Sequence, residues 1–287
     1  MNHPIQLVEC PRDAMQGWKA FIPTEKKIQY LNSLLKVGFH TLDCGSFVSP
    51  KAIPQMADTA EVLKGLKVDG SKTKLLVIVA NTRGAEEAVC FEQISCLGFP
   101  LSVAPTFQRR NTNSTIAESI KVIEQIQDLC MRNNKELVVY LSMAFGNPYG
   151  DEYNEEILLQ CAGHMISRGI KIISLADTVG IATSKQITNA LDALVPKHTE
   201  ITFGVHLHST LHNWQQKFEA AVNAGGKRID GALKGVGGCP MANDELVGNM
   251  DSELMINYLK DRKMSPALNG DALKDSIKLA EVIFSIQ

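Results

Sequence analysis

The sequence lacks long apolar runs, basic clusters and an export signal. No apolar run reaches the roughly 18 residues of a membrane-spanning helix, and the first residues, MNHPIQLVECPRD, have neither a basic start nor an apolar stretch. The 29 Lys and Arg nearly balance the 31 Asp and Glu, for a net charge of −2, so we expect no nucleic-acid partner. These absences predict a cytoplasmic protein without a membrane partner.

Paired cysteines and a dinucleotide-binding fingerprint are also absent. The seven cysteines are scattered and form no C-x-x-C pair, which argues against a disulfide framework and against a zinc ribbon. No Gly-x-Gly-x-x-Gly occurs, so a doubly wound nucleotide-binding sheet is not indicated. With 45% hydrophobic and 21% charged residues, the chain can nevertheless bury a large core.

Short apolar, β-branched segments alternate with segments whose apolar residues lie three and four apart, the patterns of strands and helices. The expected strands are 5–10, 39–44, 74–80, 101–107, 136–142, 170–176, 201–208 and 228–235. Helix signals are clearest at 24–38 and 154–169, which begin at a Thr or Asn and end at Gly. The strands at 101–107 and 228–235 are the weakest, because they contain a proline and two glycines respectively.

Eight strands that alternate with helices predict an α/β fold, a single (β/α)8 TIM barrel over residues 1–287. The chain is long enough for two domains of about 150 residues, but single barrels of roughly 250 residues are the usual exception. The last segment, DALKDSIKLAEVIFSIQ, is expected to be an extra helix after the eighth unit. An open α/β sheet is the alternative.

Polar residues follow nearly every expected strand. In a barrel the carboxyl ends of the parallel strands form one rim, where such residues converge. The residues expected there are Arg12, Asp13, Asp43, Asn81, Gln108, Arg109, Arg110, Ser142, Asp177, His206, His208 and Cys239. The rim is therefore the candidate functional site.

The pair His206 and His208 is the sharpest feature of this rim. Side chains two apart on a strand face the same way, so both imidazoles can reach one ion. Together with Asp13 and a side-chain oxygen from the eighth unit, they would form a nitrogen and oxygen site that favours Mg²⁺, Mn²⁺ or Co²⁺ over structural zinc. Two polar rim histidines without a metal are the alternative interpretation.

Cys239 lies in GVGGCPMAND, a glycine-rich loop whose backbone can approach a ligand closely. Its thiol could act as a general acid or a nucleophile. Five other cysteines are expected to be inert because they fall in strands or helices: Cys44, Cys90, Cys96, Cys130 and Cys161. Arg12 could stabilise a developing oxyanion or form a salt bridge with Asp43 or Asp177, and Arg109 with Arg110 could hold an anion or be a solvated pair.

Five stretches carry a resemblance to a known family: VECPRDAMQ (8–16), DCGSFVSPKAIPQMADTAEVLKGL (43–66), SLADTVG (174–180), HLHST (206–210) and GVGGCP (235–240). Through them the sequence resembles 3-hydroxy-3-methylglutaryl-CoA lyases, within a wider group of metal-dependent barrel lyases and acyl-CoA aldol synthases. The resemblance implies cleavage of a 3-hydroxy-3-methylglutaryl-CoA-like thioester to acetyl-CoA and acetoacetate by a retro-Claisen step. It also implies an acyl-CoA substrate and a homodimer.

The resemblance also implies roles for individual residues. The ligands of a divalent ion, which we expect to be Mg²⁺ or Mn²⁺, fall on Asp13, His206, His208 and Asn249. Asp13 would take the hydroxyl proton, directly or through a water on the metal, Arg12 would stabilise the enolate and Cys239 would protonate the carbanion. Asp43 stands at the position of an active-site glutamate. The expected substrate-binding residues are Gln16, Asn81, Arg109, Ser142 and Asp177.

Some positions depart from the family pattern. Ala14 replaces a glycine, Asp43 is one methylene shorter than the glutamate, and Ser209 replaces an aspartate. Two alternatives therefore stay open: a synthase that condenses an acyl-CoA with a 2-oxo acid, and a barrel that binds metal without catalysis. The GGCP cysteine, and a chain that ends soon after the barrel, favour the lyase over the synthase.

Overall fold

Eight parallel strands form one closed barrel in the computed structural model, which describes residues 5–238 and 247–285. The strands are β1 (Gln6–Glu9), β2 (Thr41–Ser46), β3 (Lys74–Ile78), β4 (Ile94–Ser102), β5 (Glu136–Ser142), β6 (Ile172–Asp177), β7 (Thr202–Leu207) and β8 (Arg228–Gly231). They pair in chain order, and β8 closes the barrel by pairing with β1, with Leu7 opposite Ile229. This confirms the predicted (β/α)8 barrel and excludes the open sheet.

Helices surround the barrel. They are α1 (Pro11–Gln16), α2 (Thr24–Leu35), α3 (Thr59–Lys64), α4 (Thr82–Val89), α5 (Pro105–Thr112), α6 (Ile116–Arg132), α7 (Glu155–Ile166), α8 (Ser184–Leu194), α9 (Trp214–Asn223), α10 (Ser252–Asp261) and α11 (Gly270–Ile283). The short helices α1 and α5 lie in the loops after β1 and β4, and α11 is the predicted extra helix, which packs against α2. None of the described helices is long and apolar enough to cross a membrane.

The helix boundaries follow the expected signals. Asn154 caps α7 by accepting a hydrogen bond from the Ile157 N–H, and Thr115 forms a capping box with Glu118 at the start of α6. Gly38 and Gly169 lie just beyond α2 and α7 with φ of +88° and +79°, values that glycine adopts without strain.

The main core lies between the strands and the helices, because alternate strand residues point outward. Leu97, Val139, Leu175 and Val205 are fully buried on this outer face. A smaller apolar cluster fills the barrel interior, with Leu76, Ile78, Cys96, Val138 and Tyr140 as its members. The rim at the carboxyl ends of the strands lies above this cluster.

The predicted position of the fourth strand was wrong. The strand is Ile94–Ser102 rather than 101–107, and Pro105 instead begins α5, since proline suits the first turn of a helix. Gly98 and Pro100 conceal the strand in the sequence. A Cβ atom on Gly98 would lie 2.6 Å from Ile78 Cδ1, and the pairing of β4 with β3 stops at Gly98, so Pro100 removes no hydrogen bond on that side.

The eighth strand begins at the expected residue but is shorter than the predicted 228–235. It ends at Gly231, and Leu233–Gly235 form a turn of 3₁₀ helix. Lys234 at its centre has a φ of +67°, outside the range of a strand. The chain therefore turns away from the barrel four residues earlier than the sequence indicated.

Candidate active site

An open cavity occupies the rim, with an empty volume of about 1100 Å³ that includes space continuous with solvent. The sequence-predicted residues that line it are Arg12, Asp13, Gln16, Asp43, Ser142, His206 and His208. The rest of the lining is largely apolar and includes Val48, Ile53, Ile78, Phe107 and Tyr140. Side chains from both halves of the chain therefore meet at one site, as the barrel topology predicts.

Arg12 is held in place by carboxylates and an amide. It follows β1 directly in α1, and its Nε and Nη2 donate to Asp43 Oδ2 at 3.0 and 2.6 Å. Its Nη1 donates to Asp13 Oδ1 at 3.1 Å and to Gln16 Oε1 at 2.7 Å. Burial opposes the charge, but Asp43 and Asp13 outweigh it and raise the pKa of Arg12. The shorter Asp43 thus reaches the guanidinium with both of its oxygens.

Asp13, His206 and His208 form a group that could hold a metal ion, since their ligand atoms lie within 4.8 Å of one another. Burial raises the pKa of Asp13, but Arg12 and the two histidines oppose it and bring the pKa down to about 2. Burial together with the charge of His206 lowers the pKa of His208 to about 4. At neutral pH the site therefore offers an ionised carboxylate and a neutral imidazole, the forms in which both groups bind metals.

Asn249 completes this group. A β-bridge joins its backbone to that of His208, and its Nδ2 donates to Asp13 Oδ2 at 2.8 Å and to Val236 O at 2.9 Å. Its Oδ1 is buried and has no hydrogen-bond partner among the described residues. Because buried oxygens are rarely left unpaired, the free oxygen beside a carboxylate and two imidazoles fits a divalent cation.

The glycines after β8 allow the following loop to pack on this group. Gly237 has a φ of +103°, and a Cβ atom there would lie 2.6 Å from Asn249 Nδ2 and 2.9 Å from Asp13 O. Glycine is therefore needed at this position for the close approach as well as for the backbone angle. Cys239 lies outside the described residues, so its catalytic role stays a prediction.

Three predicted substrate-binding residues do not line the cavity. Asn81 is exposed and caps α4 by accepting from the Gly84 N–H. Asp177 is buried beside Lys217, whose Nζ lies 2.7 Å from its Oδ2. Arg109 is exposed on α5, and it was placed on the rim because the fourth strand was predicted too late in the chain. Substrate contacts by these three stay predictions.

The two remaining rim residues also contact the protein itself. Gln108 is buried and its Oε1 accepts from the Ser102 N–H at 2.7 Å, which ties α5 to the end of β4. Arg110 lies over the ring of Tyr149 at 4.7 Å. Four of the five cysteines expected to be inert are buried with raised pKa values, which agrees with that expectation: Cys44, Cys96, Cys130 and Cys161. The fifth, Cys90, is exposed at the end of α4.

Several residues beside the site were not anticipated. Lys217 of α9 is buried and donates to Asp177 Oδ2, to Gly180 O and, at 2.8 Å, to the backbone oxygen of His208. No local pattern marks this lysine, because its partners come from other elements. Arg228 and Asp230, which face the barrel interior, do carry a signal: two charged residues at alternate positions of an otherwise apolar strand.

The chain is similar to known proteins over most of its length. The sequence model of the HMGL-like family matches residues 5–282. The cytoplasmic 3-hydroxy-3-methylglutaryl-CoA lyase of Rattus norvegicus is 30% identical over 282 residues, which cover 97% of this chain and 78% of that protein. A hydroxymethylglutaryl-CoA lyase of Bacillus subtilis is 30% identical over 94% of this chain and 90% of its own length.

A similar structure has also been solved. It is that of an HMG-CoA lyase from Acinetobacter baumannii in complex with coenzyme A and 3-methylmalate. The two chains superpose with a TM-score of 0.90 at 28% identity, over 98% of this chain and 92% of the other. The likeness therefore extends over nearly the whole barrel.

Proposed function

The chain belongs to the HMGL-like family, and on that premise we propose that it is a divalent-metal-dependent lyase. The reaction is the cleavage of 3-hydroxy-3-methylglutaryl-CoA to acetyl-CoA and acetoacetate, or of a close 3-hydroxyacyl-CoA to acetyl-CoA and the corresponding 3-oxo acid. One observation supports this most directly: Asn249, whose buried Oδ1 is unpaired among the described residues, donates to Asp13, and Asp13 lies with His206, His208 and the buried Arg12 at one cavity.

Asp13, His206, His208 and Asn249 are the residues that would hold the ion. When bound, a divalent ion would polarise the tertiary hydroxyl and the carboxylate of the substrate. Two imidazoles with carboxylate and amide oxygens, and no thiolate, favour Mg²⁺ or Mn²⁺. Cys10 also lies beside His206, and burial with the surrounding carboxylates raises its pKa well above the usual range, which disfavours the thiolate form.

Arg12 stabilises the negative charge that appears on the thioester oxygen as the carbon–carbon bond breaks. A guanidinium has five N–H donors, and four of them are used by Asp43, Asp13 and Gln16. The second N–H of Nη2 has no acceptor among the described residues and can reach an enolate oxygen. Because its partners already hold the group in place, little reorganisation is needed during the reaction.

Asp13 is the residue suited to receive the hydroxyl proton. Its pKa of about 2 keeps it ionised at neutral pH, so it offers an acceptor oxygen next to the bound hydroxyl or to an intervening water. Cys239 is then the proposed donor of a proton to the carbanion. Gln16 and Ser142, which line the cavity, are proposed to bind the polar groups of the acyl chain.

Product analysis tests this function against the synthase. We expect purified protein with Mn²⁺ and a thiol reductant to convert 3-hydroxy-3-methylglutaryl-CoA into equal amounts of acetyl-CoA and acetoacetate. Condensation of acetyl-CoA with a 2-oxo acid, without cleavage of the lyase substrate, would contradict the proposal. A cytoplasmic homodimer stays a prediction, which sedimentation of the purified protein can test for its oligomeric part.

A further inference from the structure

The barrel interior directly below the rim contains two charged residues that the lyase reaction does not use. Arg228 and Asp230 are alternate residues of β8 and are buried, with exposed fractions of 1% each. Gly204 of β7 makes room for Arg228, since a Cβ atom there would lie 2.6 Å from Arg228 O and 2.8 Å from Arg228 Cβ. Two buried charges are costly unless they are paired and bonded, so their contacts indicate what they do.

Asp230 contacts one of the two histidines at the metal site. Its Oδ2 lies 3.3 Å from His206 Nδ1, and an ionised carboxylate can only accept a hydrogen bond. His206 Nδ1 is therefore the donor of this contact. The other ring nitrogen, Nε2, is left without a proton in the neutral ring and is then the nitrogen available to the group that His206 forms with Asp13 and His208.

Arg228 holds Asp230 in this arrangement. Its Nε lies 3.5 Å from Asp230 Oδ1. This contact is an ion pair and not a hydrogen bond, since neither atom has a hydrogen-bond partner among the described residues. The guanidinium Nη2 and Nη1 donate to Tyr140 Oη at 3.0 Å and to Thr41 Oγ1 at 3.4 Å. The guanidinium is thus fixed to strands β5 and β2 while it supplies the counter-charge to a carboxylate on β8. The contact to His206 on β7 extends this network across the barrel.

We propose that Asp230, held by Arg228, is a positioning residue that orients His206 so that Nε2 is its metal-binding nitrogen. Although Asp230 also lies with Cys10 and His206 in a group that could hold an ion, in this role it acts through the imidazole and not as a ligand. The inference rests on the proposed metal site but not on the identity of the substrate. Such carboxylate partners of metal-binding histidines fix the ring and raise its affinity for the ion.

Asp230→Asn tests the arrangement, because the amide cannot satisfy both neighbours. If its oxygen accepts from His206, its NH₂ group faces the Arg228 donors; if the oxygen accepts from Arg228, the NH₂ group donates to His206 Nδ1 and moves the ring proton to Nε2. We expect Mn²⁺ affinity, measured by electron paramagnetic resonance, to fall about 10- to 100-fold. Ser174→Ala is the matched control, since Ser174 is buried in the same interior and its hydroxyl has no partner among the described residues.

A twofold or smaller change in the Asp230→Asn variant, with wild-type Mn²⁺ binding intact, would overturn the inference. Thermal unfolding without metal shows whether the variant is folded. If it is not, nitrogen-15 histidine NMR of the Mg²⁺-loaded wild type decides: a proton on His206 Nδ1 supports the orientation, and a proton on Nε2 refutes it. The His206 signal is assigned by its loss in His206→Gln. Failure to cleave the substrate would affect only the proposed function, because neither measurement uses it.

Discussion

Glu9 is predicted to make the stability of the barrel depend on pH. It lies on the outer face of β1, fully buried, where its carboxyl oxygens accept from the Leu233 N–H at 2.8 Å and from the Ser252 hydroxyl at 2.5 Å. Burial raises its pKa from 4.5 to about 8. The group is therefore protonated in the folded protein at pH values where it is ionised in the unfolded chain.

The sign and size of the effect follow from proton linkage. A carboxyl whose pKa is raised on folding binds more protons in the native state, so the free energy of unfolding falls as pH rises from about 4.5 to 8. For these two pKa values the cost of keeping Glu9 protonated in the folded protein is about 1 kcal/mol at pH 5 and about 3 kcal/mol at pH 7. Glu9→Gln keeps the shape and removes this cost. The variant should thus gain about 2–3 kcal/mol relative to wild type between pH 5 and pH 7.

Reversible urea unfolding of both proteins at pH 5, 6 and 7 measures this difference directly. The quantity compared is the difference in unfolding free energy between the two proteins, because their other titrating groups are the same. Glu86→Gln, which changes an exposed glutamate of α4, is the control for the loss of one surface carboxylate. If the unfolding free energies of Glu9→Gln and wild type differ by the same amount at pH 5 and at pH 7, the reasoning is refuted.

Other variants test the site and its supports. Lys217→Met leaves Asp177 buried without its counter-charge and should lower the free energy of unfolding in urea by about 3–5 kcal/mol. A decrease below about 1 kcal/mol would show that the pair contributes little to stability. Gly237→Ala should weaken Mn²⁺ binding at least about tenfold. Gly70→Ala is the control and should not weaken it, because Gly70 has a φ of +76° but open space around it. Equal Mn²⁺ affinities of the two variants would contradict the close packing at Gly237. Cys239→Ser should lower kcat by about 100-fold or more with little change in Mn²⁺ affinity, and an unchanged kcat would exclude the general-acid role.

The predicted bounds of a strand were right where the residues of that strand alone form a regular pattern. Glu136–Ser142 was predicted to the residue, because its apolar run is β-branched and ends at polar neighbours. The strand Ile94–Ser102 was missed, because Gly98 and Pro100 are unfavourable in most strands. Both residues fit here because of how β4 lies against its neighbour β3. Whether a glycine or proline fits a strand depends on the adjacent strand, which the sequence does not identify.

The site, likewise, could be predicted where it depends on the barrel topology and could not where it depends on single contacts between distant elements. His206, His208, Arg12 and Asp13 could be brought together from sequence because the topology alone places the carboxyl ends of all strands on one rim. The roles of Lys217 and Asp230 could not be predicted, since each depends on one contact between elements distant in sequence: Lys217 with the backbone of His208, and Asp230 with His206 Nδ1. Such contacts are set by packing rather than by any local pattern.

The most direct test of the account is to restore activity by adding metal to the chelated protein. After EDTA treatment, turnover of 3-hydroxy-3-methylglutaryl-CoA should be lost and should return as Mn²⁺ is added, with half-saturation at the dissociation constant measured by electron paramagnetic resonance. The same titration of His208→Gln should reach half-saturation only at a much higher Mn²⁺ concentration. Full turnover in the chelated protein, or identical titration curves for His208→Gln and wild type, would contradict a metal-dependent lyase built on these residues.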